Sequence, residues 1–284
     1  MIIRKFYIPL LYHHFIIINL SYDEKVFIFS TSLFAFQYGK YTGPISLSLG
    51  NVSSVLTDKY NSVNPATISC GKSSISTFYH NKFLCPEIGL ENLSFVYSHP
   101  TLSFSASVSH HGFTDYGEMS VGVNFSRLFK PDISVGIGVE YLGWYYTGAW
   151  HNMACLNLGI MVFPVKNLSL GFSIYNLSFS KFKVEKSKFD VPTIFFLGLK
   201  YQFTELLFIT AEASLTLKEN FTASIGLQYF FVKQVGMRIG IYASKEISPC
   251  LGLGINLNGF CIDIGAQYNF KLGLTSSVGI SYKW

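Results

Sequence analysis

Ser109, His110 and His111 stand side by side, and with His80 and His151 they are the residues whose types could support hydrolysis or hold a metal ion. Hydrolysis needs a nucleophile, a base within hydrogen-bond reach and a group that orients the base. No such constellation can be singled out along the chain, and no G-x-S-x-G turn occurs to present a serine. A metal site at these strand-end histidines would need carboxylate or cysteine partners at ligand spacing, which they lack. The five cysteines, Cys70, Cys85, Cys155, Cys250 and Cys261, are odd in number and widely spaced. They give neither a disulfide framework nor a zinc pair. The chain therefore reads as non-catalytic, with no cofactor or metal expected. A second set of residues carries charge: Glu140, Lys200, Glu212, Arg238 and Asp263, with Lys283 beside them. Each sits on the polar side of a segment in which polar and apolar residues alternate. Charges enclosed in a membrane protein must be paired or hydrated. Such a ring would grip an internal segment, select a solute, or simply keep a lumen wet. Both signs are present, which argues against strong ion selectivity.

The elements that would position these charges follow from composition. Of 284 residues, 49% are hydrophobic and 17% aromatic, but only 13% are charged, about half the usual share for a soluble domain. Mean hydropathy is +0.33. Beyond residue 40 no apolar run approaches the roughly 18 residues of a membrane helix. High hydrophobicity without long apolar runs is what a transmembrane barrel produces, because lipid-facing and lumen-facing residues alternate. A soluble β-sandwich with a large core is the competing reading, and the low charge and long strands disfavour it. The net charge of +5 is dispersed, with no basic stripe or motif for nucleic acid.

Alternation marks fourteen strands: 72–80, 91–98, 101–109, 117–128, 132–146, 151–163, 167–181, 191–203, 206–217, 220–231, 235–243, 249–257, 260–269 and 274–284. An even number is what single-chain bacterial barrels require. Ile133, Val135, Ile137, Val139 and Tyr141 oppose Ser134, Gly136, Gly138 and Glu140, so the lumen face is expected to be polar and rich in glycine. The strand over 167–181 breaks phase at Tyr175-Asn176, which reads as a bulge. Links after even strands are brief, whereas 81–90, 110–116, 182–190 and 244–248 are longer. Short periplasmic turns and longer outer loops would put both barrel ends in the periplasm. Phe129, Phe163, Phe203, Tyr229, Phe230 and Trp284 flank the short turns, and Trp144, Tyr145, Tyr146 and Trp150 flank an outer loop. These read as two interfacial belts. In the last strand, Gly279, Tyr282 and Trp284 look like the C-terminal insertion signal of outer-membrane barrels, which implies the barrel-assembly machinery and outer-membrane lipid as partners.

Ahead of the barrel, Lys25, the apolar run Val26 to Phe36 and Ala35 fit a signal peptide within residues 1–37, with an uncleaved anchor as the alternative. Residues 38–71 do not read as a transmembrane hairpin. Gly50-Asn51-Val52-Ser53-Ser54-Val55, followed by Asn64-Pro65-Ala66, resembles the pre-barrel segment of the FadL superfamily, and within it the PorV and PorQ proteins of Bacteroidota. Gly171 to Leu177, Gly226 to Tyr229, Met237 to Gly240 and Gly252 to Ile255 extend the similarity. The resemblance implies a fourteen-stranded antiparallel transmembrane barrel over 72–284, in the outer membrane of a Gram-negative bacterium, with residues 38–71 folded into the lumen as a hatch. It also implies one of two functions. The first is an accessory component of the type IX secretion pathway, with secretion-system subunits as partners. The second is a passive transporter of hydrophobic solutes.

Overall fold

The computed structural model describes residues 43–284, apart from 58–59, 61–62, 114–115, 130–131, 147, 185–186 and 218–220. The region expected to hold a signal peptide lies outside the described residues. Sixteen strands follow the hatch: β1 Ser74–Asn81, β2 Gly89–Tyr97, β3 Ser103–Phe113, β4 Tyr116–Phe129, β5 Ile133–Tyr146, β6 Ala149–Val165, β7 Leu168–Tyr175, β8 Lys181–Val184, β9 Ser187–Asp190, β10 Ile194–Thr204, β11 Leu207–Thr216, β12 Phe221–Val232, β13 Val235–Ala243, β14 Ile247–Leu257, β15 Phe260–Asn269 and β16 Gly273–Lys283. All except β8 and β9 form one closed antiparallel barrel of fourteen strands, in which β16 pairs with β1. Each of the fourteen strands pairs with two neighbours, the condition for crossing a bilayer with strands.

The alternation does what its period dictates. Ile137, Ile225, Leu253, Ile264 and Ile280 point outward and stay exposed, while Ser134, Glu212, Arg238, Asp263 and Ser277 point inward and are buried. An outward surface this apolar is a lipid-facing band rather than a water-facing one. No helix among the described residues is long and apolar enough to span a membrane. Tyr97, Phe129, Phe203, Tyr229, Tyr282 and Trp284 are exposed near the short turns. Two aromatics expected in that belt turn inward instead: Phe163 packs against the core beneath the hatch, and the Phe230 ring lies over Gly236. Trp144, expected in the other belt, is also inward and buried. The physical reason is phase: Trp144 continues the lumen row of Glu140 and Leu142 on β5.

Three further expectations need correction. The segment 167–181 is not one bulged strand. β7 stops at Tyr175, Asn176 adopts a left-handed φ of 54°, and the chain leaves the wall to make a separate two-stranded hairpin, β8–β9. The expected loop 110–116 shrinks to residues 114–115, because β3 and β4 stay paired to Phe113↔Tyr116. The loop 244–248 shrinks to residues 244–246, since β14 begins at Ile247. The end opposite the short turns thus carries two sizeable excursions: residues 82–88, built from two 3-10 turns, and residues 176–193.

Candidate functional site

The hatch begins with α1, Pro44–Ser48, a five-residue helix with Pro at its first turn. Gly50 at φ 81° and Asn51 at φ 65° reverse the chain after it. The left-handed pair lets Asn51 N–H donate back to Ser46 O at 2.8 Å. Ser46 Oγ donates to Val52 O across the same turn. Leu49, Val52, Val55 and Leu56 are buried in the core the hatch forms with the wall. The hatch closes with a 3-10 turn, Pro65–Cys70, capped by Asn64. Asn64 Oδ1 accepts from Ala66 N–H at 3.0 Å, and its Nδ2 donates to Ser54 O at 2.6 Å and to Ile160 O at 3.3 Å. The Asn64-Pro65-Ala66 motif therefore ties the hatch both to itself and to β6.

Glycines on the wall decide how closely the hatch can approach. Four cross-strand pairs face it: Gly252↔Gly265, Gly226↔Gly240, Gly171↔Gly198 and Gly136↔Gly159. A Cβ added at any of the eight would lie less than 3.0 Å from the hatch. In that order the pairs meet Pro44 and Ser48, then Leu49 and Gly50, then Ser54 and Val55, then Asn64 to Ala66. The hatch thus winds around the inner wall from β15 back to β5, its backbone pressed against backbone. Between the second and third pairs, β11 presents a carboxylate. Glu212 Oε2 accepts from Ser53 N–H at 2.9 Å, Ser54 N–H at 2.6 Å and Ser54 Oγ at 2.5 Å. Charge-assisted bonds to backbone N–H groups are among the stronger ones available.

Arg238 and Asp263 form a buried ion pair at 2.8 Å. Arg238 Nε donates to Gln228 Oε1 at 2.7 Å, and Tyr60 of the hatch donates to Asp263 Oδ2 at 2.9 Å. The Tyr60 ring also packs edge-on to Phe78 at 5.9 Å and covers Gly279. Gly279, read in sequence with the insertion signal, therefore also seats the hatch. Tyr282 and Trp284 stay outside, stacked at 6.1 Å, with Phe260 4.6 Å from Tyr282. Of the other lumen charges, Glu140 makes no hatch contact in the described geometry. It accepts from Asn157 Nδ2 of β6 at 3.5 Å. Lys200 Nζ sits 4.4 Å over the Phe208 ring.

At the opposite end from the short turns, apolar side chains converge. Leu142, Trp144, Tyr175, Ile194 and Phe196 point inward and are buried, and Phe182 of the hairpin inserts among them, 6.0 Å from Trp144. Asn176 is the pivot. Fully buried, it donates to Val191 O at 3.0 Å and accepts from Ser180 N–H at 3.0 Å, holding both feet of the hairpin. Beyond Leu158, β6 has no ladder to β7. The wall there is completed by residues 176–193, through Leu177 N–H to Leu156 O at 2.7 Å and β8 packed beside β6. The histidines do not converge as a group. His80 and His111 are buried in the lumen, His110 points out, and His151 packs on Trp144 at 5.6 Å. Among the described residues, no group of three metal-ligating side chains is assembled.

Sequence reasoning missed the glycine pairs, Tyr60 and Phe182. The glycines had a signal: they recur in the lumen phase on successive strands. Tyr60 and Phe182 had none, since their partners are remote in sequence.

No family model and no curated relative matches the chain. Solved structures do. The Pseudomonas putida toluene transporter TodX aligns over 84% of this chain and 96% of its own, at TM-score 0.65 and 13% identity. A Pseudomonas aeruginosa FadL homologue covers 86% and 98%, at 0.65 and 12%. The CymD monoaromatic hydrocarbon channel covers 86% and 97%, at 0.64 and 10%. At these identities the likeness establishes a shared barrel fold.

Proposed function

We propose that this protein is an outer-membrane barrel of a Gram-negative bacterium that passively admits small apolar solutes. The observation that carries the reading is the apolar cluster around Phe182, placed where the barrel wall is completed by a hinged hairpin rather than by a ladder. A solute of low polarity gains by leaving water for such an apolar cluster. A panel held at its feet by Asn176 gives it a way in from the lipid side or the outer face. Fold neighbours described as a toluene transporter and a monoaromatic hydrocarbon channel support this solute class. The test is toluene uptake by cells that produce the protein against cells that do not, with Phe182→Ala expected to raise the uptake rate several-fold. Equal uptake with and without the protein overturns it.

One observation favours a second reading, a non-conducting accessory barrel of the type IX secretion pathway. The hatch is seated by backbone contact and buried ion pairing, as a permanently closed lumen would be. In that case deletion of the gene would abolish export of secreted cargo and leave toluene uptake unchanged. Secretion subunits would then co-purify with the barrel.

A further inference from the structure

The outward face of the barrel is made mostly of apolar and aromatic side chains. Among the described outward residues of the fourteen strands, three bring acidic or basic chemistry: Glu91 on β2, His110 on β3 and Arg127 on β4. Arg127 has an ordinary setting. Its guanidinium lies 5.3 Å from the ring of Phe129, at the lower belt, where a long cation reaches lipid phosphates. Glu91 and His110 stand higher. They face each other across the β2–β3 ladder, six residues up from Tyr97 and Phe104, which pair at the lower belt. At about 3.3 Å per residue and a tilt of about 40°, that is a rise of about 15 Å, inside an apolar band about 25 Å tall.

An acid at that depth must be paired or hydrated. Both side chains are exposed on the outward surface, and among the described residues no hydrogen bond or ion pair engages either. The imidazole leans away from β2 toward β4, with Nε2 3.9 Å from where a Cβ on Gly117 would stand. The surface around the two is low and apolar. The Tyr79 ring covers Gly89, and Leu93, Val108 and Ala106 occupy the rows below. Small residues let membrane-embedded surfaces approach closely. The partner that fits is a second copy of this chain. Two barrels in one membrane, related by a two-fold axis along the bilayer normal, set equal depths opposite each other, so residue i meets j and j meets i. An axis passing between Glu91 and His110 places Glu91 of each copy against His110 of the other. The same face thus holds both the carboxylate and the donor that would satisfy it, and neither is engaged within its own wall.

We propose that the β2–β3 face is a homodimer interface within the membrane, closed by two reciprocal Glu91–His110 hydrogen bonds. The test uses the full chain in liposomes of phosphatidylethanolamine and phosphatidylglycerol at high lipid excess, with copper phenanthroline to oxidise introduced thiols. Leu93→Cys or Val108→Cys should form disulfide-linked dimers several-fold faster than Ile225→Cys, which lies on β12 across the barrel, or than the unsubstituted chain, whose own cysteines set the background. Glu91→His sets imidazole against imidazole, and His110→Glu sets carboxylate against carboxylate. Either change should cut the dimer yield of the cross-linking variant several-fold. Glu91→His combined with His110→Glu rebuilds both pairs and should restore the yield, which separates a lost contact from a lost fold. Copies that stay monomeric in both cysteine variants, as they would if a lipid headgroup covered Glu91, would overturn the proposal. So would cross-linking no faster than at Ile225→Cys, a yield that the single substitutions leave unchanged, or one that the double swap fails to recover.

Discussion

The two sectors of the lumen wall hold the same segment by opposite means. From β5 to β15, paired glycines bring hatch backbone against wall backbone, and Glu212, Arg238 and Asp263 fix it with buried charge. From β1 to β4, Tyr60 of the hatch packs on Phe78, and a water-sized cavity separates Thr67 and Ile68 from Ser94, Ser105, Ser107 and Asn124. The difference teaches that one wall can hold a segment by backbone contact in one arc and by side-chain packing in another. A wall without Cβ atoms can clamp a segment tightly over one arc and leave the remaining arc free to hydrogen-bond. Close contact at glycine gains dispersion energy that a water-sized gap forfeits, so the clamped arc should be far less tolerant of change than the open one.

Removing Arg238 should break the comparison most severely. Arg238→Ala would leave Asp263 charged and buried without its ion-pair partner, at a cost of about 3–5 kcal/mol in denaturant unfolding from lipid vesicles. The neighbouring clamp is next. Glu212→Ala would orphan the buried Ser53 and Ser54 amides for about 2–3 kcal/mol, and ion conductance in planar bilayers should show the hatch loosened. Gly252→Val should force Ser48 and α1 off the wall for about 1–3 kcal/mol. It should also raise the frequency of conductance steps, and unchanged stability there would mean that the glycine pairs are incidental. Ser76→Ala, in the open sector, loses one hydroxyl bond to Ser94 and should cost about 0.5–1.5 kcal/mol. The smallest effect belongs to Ser107→Ala, within about 0.5 kcal/mol. If it matched Gly252→Val, the two sectors would not differ.

Fold neighbours at 10–13% identity share the barrel. The apolar cluster around Phe182 was not legible in the sequence. Trp144 and Phe182 lie far apart along the chain, and nothing in either neighbourhood distinguishes a belt aromatic from a lumen aromatic except strand phase. Phase puts Glu140, Glu212, Arg238 and Asp263 on the lumen side of their strands. It gave no means of telling that Glu212 grips the hatch while Glu140 bonds its own wall. The break at Tyr175-Asn176 was visible as an irregularity, but its meaning depended on where the returning strand β10 would pair. A bulge and a departing strand look alike until that partner is known.

What the sequence by itself determined is the wall: fourteen strands, the short turns, an apolar outside and a polar, glycine-bearing inside. Those features rest on a period of two, a property of neighbouring residues. Only the tertiary structure decided the winding of the hatch, the hairpin panel and the contrast between the two sectors. These depend on pairs such as Tyr60 with Asp263 and Ser54 with Glu212, separated by 203 and 158 positions. Barrel closure brings such residues within hydrogen-bond distance, and no local pattern encodes which of them will meet.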